Sequence, residues 1–118
     1  MPKRLGLERE RRIKQSRDFT RIREQGPRLA GGCLIANWQQ LPAGSRSRVG
    51  VITSGKIGNA AARSRARRLL REVFRMHQQE LVQPVDLVLV ARRSLISKGF
   101  MGVEKDFLTT LRKAGLLK

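Results

Sequence analysis

Between Asn59 and Glu80 the apolar residues recur at a helical period and leave the charged ones a face of their own. At about 100° per residue, Ala62, Ala66, Leu69, Leu70 and Val73 cluster on one side. Arg63, Arg67, Arg71 and Arg75 climb the neighbouring side at i, i+4 spacing, with Arg65 and Arg68 further round. Asn59 is a good N-cap, so the pattern predicts a helix from about Asn59 to roughly Glu80, on the order of 30 Å long. A shorter helix is expected from Arg17 to Gln25, capped by Ser16, with Phe19 and Ile22 on its apolar side; Gly26 and Pro27 terminate it. Leu29 to Trp38 reads as one strand, slightly weakened by Gly31 and Gly32. Leu41 to Ser47 is a loop, and Arg48 to Thr53 a second short strand. After Pro84, the continuous apolar run of DLVLVA (Asp86 to Ala91) predicts a strand buried on both faces. A last amphipathic helix from about Val103 to Ala114 carries Val103, Phe107, Leu108 and Leu111 on one stripe and ends at Gly115.

The predicted order is α-β-β-α-β-α in one domain spanning residues 1–118, with residues 1–15 an irregular basic arm. The fold class is α+β: a small sandwich of helices packed on a sheet. A chain of 118 residues can build a modest core without disulfide or metal staples.

Charge changes this picture most. The formal net charge is +17, and no Asp or Glu occurs from Gln25 through Arg71, which suits a polyanion binder. A membrane-lying helix would need a wide aromatic and leucine face free for lipid, which the arginine stretch lacks. The longest apolar run, Leu87 to Ala91, is too short to span a bilayer. The opening MPKRLGLERERR has no hydrophobic segment, so no export signal is expected, and a single cysteine, Cys33, excludes an internal disulfide framework. The default expectation is a cytoplasmic protein without membrane partners.

Six arginines between Arg63 and Arg75 are offset only by Glu72. Like charges at i, i+4 cost a helix a few tenths of a kcal/mol each, and a solvated face would interleave Glu with Lys. The cluster therefore points to nucleic acid. The preceding loop SGKIGN (Ser54 to Asn59) fits phosphate as well: Gly55 and Gly58 let backbone amides approach, Lys56 adds charge, and a helix start follows. GVITSGK (Gly50 to Lys56) superficially matches the nucleotide-binding spacing G-x-x-x-x-G-K. However, Ile57 stands where a magnesium-binding Ser or Thr is needed, and Gly50 lies inside a strand. His77, Cys33 and the scattered acids, with Asp86 read as a strand-opening residue, form no metal or acid–base constellation. Among the sparse aromatics, Phe19 and Trp38 could stack on unpaired bases, and Lys14, Arg17 and Arg21 flank Phe19.

The run VITSGKIGNAAARSRARRLLREVFR (Val51 to Arg75) resembles the signature of the protein subunit of bacterial ribonuclease P, K-x-G-N-A followed by R-N-R-x-K-R-x-x-R-E. Asp18–Phe19 and DLVLVAR extend the resemblance over most of the chain. The family implies a sheet with three helices and a left-handed β-α-β crossover. It also implies a function in transfer RNA maturation: a separate RNA subunit, with its own Mg2+ ions, cleaves the 5′ leader from precursor transfer RNA. The protein binds that RNA and grips the leader. No protein active site and no protein-bound cofactor are expected, and DNA is not an expected partner. Carried over, Lys56, Arg63, Ser64, Arg65, Arg67, Arg68 and Arg71 are the RNA-binding positions. Phe19 is the cleft aromatic, with Lys14, Arg17 and Trp38 as further leader-cleft candidates. Ser64 replaces the signature asparagine, Gly55 a frequent second lysine, and Arg23, Cys33 and Ala36 fall near positions usually aromatic. A basic structural ribosomal protein is the main alternative, ahead of a DNA-reading module and an independent hydrolase.

Overall fold

Gly31 and Gly32 do more than weaken a strand; they divide it. The computed structural model describes residues 11–118 and has β1 at Arg28–Gly31 and β2 at Leu34–Gln40. These strands form an antiparallel hairpin in which Gly31 faces Leu34 and Arg28 faces Asn37. Gly32 turns with φ +58°, and a Cβ there would lie 2.2 Å from Asp106 Oδ2. That carboxylate accepts the Cys33 amide at 3.0 Å and Lys98 Nζ at 2.8 Å, so the last helix caps the hairpin tip. The element order is α-β-β-β-α-β-α, one strand more than the periodicity predicts.

β3 (Arg48–Ile52) and β4 (Val85–Ala91) complete one sheet of order β1-β2-β4-β3. β4 is antiparallel to β2 and parallel to β3, with Val49 opposite Leu87 and Val51 opposite Leu89. Parallel neighbours need a long crossover, and α2 (Ala60–His77) supplies it. Apart from Asp86, the central β4 is apolar on both faces, as the run Leu87 to Ala91 predicts. Val85, Leu87 and Leu89 join Leu34, Ala36 and Val49 in the main core, beneath Ala66, Leu70, Val73 and Phe74 of α2. Val103, Phe107 and Leu111 of α3 (Leu95–Lys113) close the same core. On the other face, Val88 packs with Ile22 of α1 (Ser16–Gln25) and with Ile13, beside Phe19, Ile52 and Val90.

Several expected boundaries move. Ser16 is the first residue of α1 rather than its cap; Gln15 holds that position without a side-chain cap bond. α2 ends at His77, and Gln78–Glu80 tightens into a 3-10 turn. α3 starts at Leu95, well before Val103, because Gly99 (φ +67°) is a kink joining two helical segments rather than a stop. Gly115 (φ +75°) ends it where expected. Of the expected irregular arm, residues 1–10 lie outside the described residues. Arg12 and Ile13 are not irregular: Arg12 forms a parallel bridge with Val49, and Ile13 donates its amide to the Val49 carbonyl at 2.8 Å.

Candidate nucleic-acid interface

The start of α2 is built by local hydrogen bonds. Ser54 Oγ accepts the Lys56 amide at 3.3 Å over a single turn, Gly55–Ile57, and the buried Ile57 pins that turn to the core. Gly58 (φ +142°) swings the chain into the helix. Asn59 Oδ1 then accepts the Ala62 amide at 2.9 Å, as its sequence position predicts. Arg63 Nη1 donates back to the Gly58 carbonyl at 2.8 Å, so one arginine of the cluster braces the loop. Lys56 and Arg65 are exposed.

Burial of Ala66, Leu70, Val73 and Phe74 fixes the rotation of α2 and turns its arginines outward. Arg67, Arg68, Arg71 and Arg75 line a groove of 450 Å³ together with Ser64, Glu72 and Arg12. Arg67 is held at both ends of its guanidinium: Nη1 donates to Thr53 Oγ1 at 2.8 Å and Nη2 to Ser64 Oγ at 3.1 Å. Partial burial, then the positive charges of Arg12 and Arg67, push the Arg71 pKa down. Glu72, the one acid in the groove, accepts Arg75 Nε at 3.0 Å, and that bond holds its carboxyl below the usual range. Five guanidinium groups thus converge with one counterion, an arrangement suited to a string of phosphates.

A second cleft lies between α1 and the sheet. The Phe19 ring rests on Gly50, where a Cβ would come within 2.5 Å of Phe19 Cε1. The glycine that mimics a nucleotide-binding loop therefore makes room for an aromatic ring. Phe19, Thr20, Arg23, Glu24, Arg28 and Asn37 line a cavity of 340 Å³. Asn37, only 2 % exposed, forms part of the floor of this cavity. Trp38 does not share this cleft. One residue further along β2, it points to the opposite face and packs against the main core. Lys14 and Arg17 are exposed but do not line the cleft either.

α1 is clamped over the sheet by a carboxylate that the sequence reading treats as strand punctuation. Asp86 is fully buried and accepts Arg48 Nε and Nη2 at 2.8 and 2.7 Å. Arg21 of α1 approaches the same carboxylate at 3.7 Å, bonds Asp18 at 3.1 Å and donates to Gln39. Beta pairing places Arg48 and Gln39 directly opposite Asp86, on the α1 side of the sheet. His77 is likewise structural: Nε2 contacts Glu104 at 2.8 Å and Nδ1 contacts Glu80, tying α2 to α3. The Cys33 thiol is pushed up to about 12 by burial and by Asp106. Among the described residues no acid, histidine and cysteine cluster could hold a metal ion, and no helix is long and apolar enough to cross a membrane.

Sequence reasoning missed Arg12, Arg28 and Asn37 as lining residues. Arg12 carries no signal, since its place depends on a bridge to a strand far along the chain. Asn37 could have been flagged as a polar residue in an apolar strand on the face shared with Ile35.

A family model described as Ribonuclease P matches residues 7–115. The chain is 39% identical over 110 residues to the ribonuclease P protein component of Syntrophomonas wolfei, covering 93% of this chain and 92% of that protein. It is 32% identical to the counterpart from Gluconacetobacter diazotrophicus, covering 92% and 95%. The structure is similar to the Staphylococcus aureus RNase P protein, with a TM-score of 0.82 at 25% identity over 92% of this chain and 98% of that one. It is also similar to the Thermotoga maritima RNase P protein, with a TM-score of 0.75 at 26% identity over 86% and 96%.

Proposed function

Because the chain belongs to the ribonuclease P protein family, we propose that it is the RNA-binding subunit of a ribonuclease P ribonucleoprotein, with its arginine groove docked on the RNA subunit. The single observation carrying this reading is the convergence of Arg12, Arg67, Arg68, Arg71 and Arg75 around one groove. Lys56, Arg63 and Arg65 extend the same basic surface along the loop and the first turns of α2. Ser64 serves this surface by orienting Arg67 through its hydroxyl. The RNA subunit and its Mg2+ ions carry out phosphodiester cleavage, and the protein holds the substrate in place for them.

The cleft between α1 and the sheet suits the single-stranded 5′ leader of precursor transfer RNA. Phe19 offers a ring for base stacking, Asn37 an amide for a base edge, and Arg23 and Arg28 charge for the adjoining phosphates. Reconstitution tests the whole reading. With bacterial ribonuclease P RNA at low Mg2+, the protein should raise cleavage of a leader-bearing precursor well above RNA alone. Cleavage no faster than that of RNA alone would defeat it.

A further inference from the structure

The groove along α2 has a second wall that the arginine helix does not provide. Residues 12 and 13 lie against the free edge of β3 as a stub of extended chain, through the Arg12–Val49 bridge and the Ile13 amide at 2.8 Å from the Val49 carbonyl. Side chains alternate along extended chain. Ile13 turns to the α1 side, where it is buried with Ile22 and Val88. Arg12 is thereby sent to the opposite side, into the groove with Arg67 and Arg71. The residue on its other flank is also tied down through its side chain, since Arg11 Nη1 donates to Gln78 Oε1 at 3.1 Å beyond the end of α2. An exposed arginine is thus anchored on both sides in sequence and aimed at like charges. The proximity is close enough for Arg12 to depress the Arg71 pKa, after burial and ahead of Arg67.

Such convergence of like charge is unfavourable, and the one acid lining the groove, Glu72, is engaged by Arg75. We propose that Arg12 is a phosphate-binding residue of the groove, so that an RNA backbone lying along α2 is gripped from the helix on one side and from the edge of the sheet on the other. This rests on the reading of the groove as the docking site for ribonuclease P RNA. The two-sided grip gives the segment before α1 a function: it brings to the groove a cation from outside α2.

The test is the dissociation constant of the full-length protein for bacterial ribonuclease P RNA, measured across a salt series. Arg12→Ala should weaken binding about three- to tenfold near physiological salt and reduce the slope of log affinity against log salt by roughly 0.7 to 0.9, the signature of one lost phosphate contact. Arg12→Lys should retain the wild-type slope, because the charge survives. Lys113→Ala, an exposed cation at the end of α3, should match wild type in both. A wild-type slope for Arg12→Ala overturns the proposal if Arg67→Ala loses affinity and slope, and so does a loss of affinity at unchanged slope. If neither Arg12→Ala nor Arg67→Ala changes binding, the groove itself is not the docking site.

Discussion

Three residues have roles set by what their side chains face. Asp86 is a buried carboxylate whose charge is matched by a bidentate arginine. Removing one partner of such a pair leaves the other uncompensated, which typically costs 3–5 kcal/mol. Asp86→Ala should therefore lower the unfolding free energy obtained from urea titration, by less than that full penalty because the partly exposed Arg48 can rehydrate, whereas a surface change such as Lys113→Ala should not move it. Phe19 and Gly50 form a pair of a different kind, with no room between ring and backbone for a methyl group. Gly50→Ala should displace the ring and cost about 1–3 kcal/mol as an overpacked site. Phe19→Ala should weaken binding of a leader-bearing precursor more than of mature transfer RNA; equal losses in a side-by-side binding assay would remove Phe19 from the leader cleft. Ser64 stands where the family signature has asparagine. Its hydroxyl is engaged by Arg67, so Ser64→Ala should lower RNA affinity modestly by freeing that guanidinium, with the salt slope unchanged.

Elements are joined here by polar ties as much as by the core. His77 at the end of α2 contacts Glu104 on α3 and Glu80 in the following turn. Burial disfavours its cation, but the two carboxylates outweigh burial and raise its pKa above 6.5. A raised histidine pKa adds stability that is complete below about pH 6.5 and disappears as pH climbs through the folded value. Thermal melts should accordingly show the wild type losing stability from pH 6 towards pH 9, and His77→Gln losing less over the same range. A parallel decline in both would assign the effect to other groups. The hairpin of β1 and β2 has its own tie, from Asp106 to the Cys33 amide, which explains how so short a strand as β1 stays at the sheet edge. α2 combines a legible pattern with an illegible placement. Its cap, its buried stripe and its arginine face all follow from residue spacing, but the part of the groove lined by Arg12 depends on residues 12 and 13 docking at the edge of β3.

At the scale of the molecule, one sheet separates two candidate surfaces. α2 and the arginine groove occupy one side; α1 and the Phe19–Asn37 cleft occupy the other. With net charge +17, the proposed RNA binding should be strongly salt-dependent. If about six phosphates are neutralised on ribonuclease P RNA, log affinity should fall with log salt at a slope of roughly −4 to −5. A slope near zero in a filter-binding titration would contradict a phosphate-dominated interface. Most of the fold was legible because helix and strand periods are local properties of the chain: α1, α2, β3 and β4 fall close to their predicted places. The β1–β2 hairpin was not, because Gly32 closes a turn whose cap comes from Asp106 on a distant helix. The early start of α3 escaped for a related reason, since Gly99 bends a helix that the burial of Leu95 holds on the core.

The sequence by itself determined the basic character of the chain, the arginine face of its long helix and the loop that leads into it. These depend on spacing and charge, which need no tertiary partner. Tertiary structure decided which residues share a surface. It turned Trp38 against the core and left Asn37 facing the cleft, because neighbours on a strand must take opposite faces. It buried Asp86 against Arg48 through strand register, and it brought Arg12 to the groove through a bridge to Val49. Contacts between residues far apart in the chain leave no periodic trace, so only the folded arrangement could supply them.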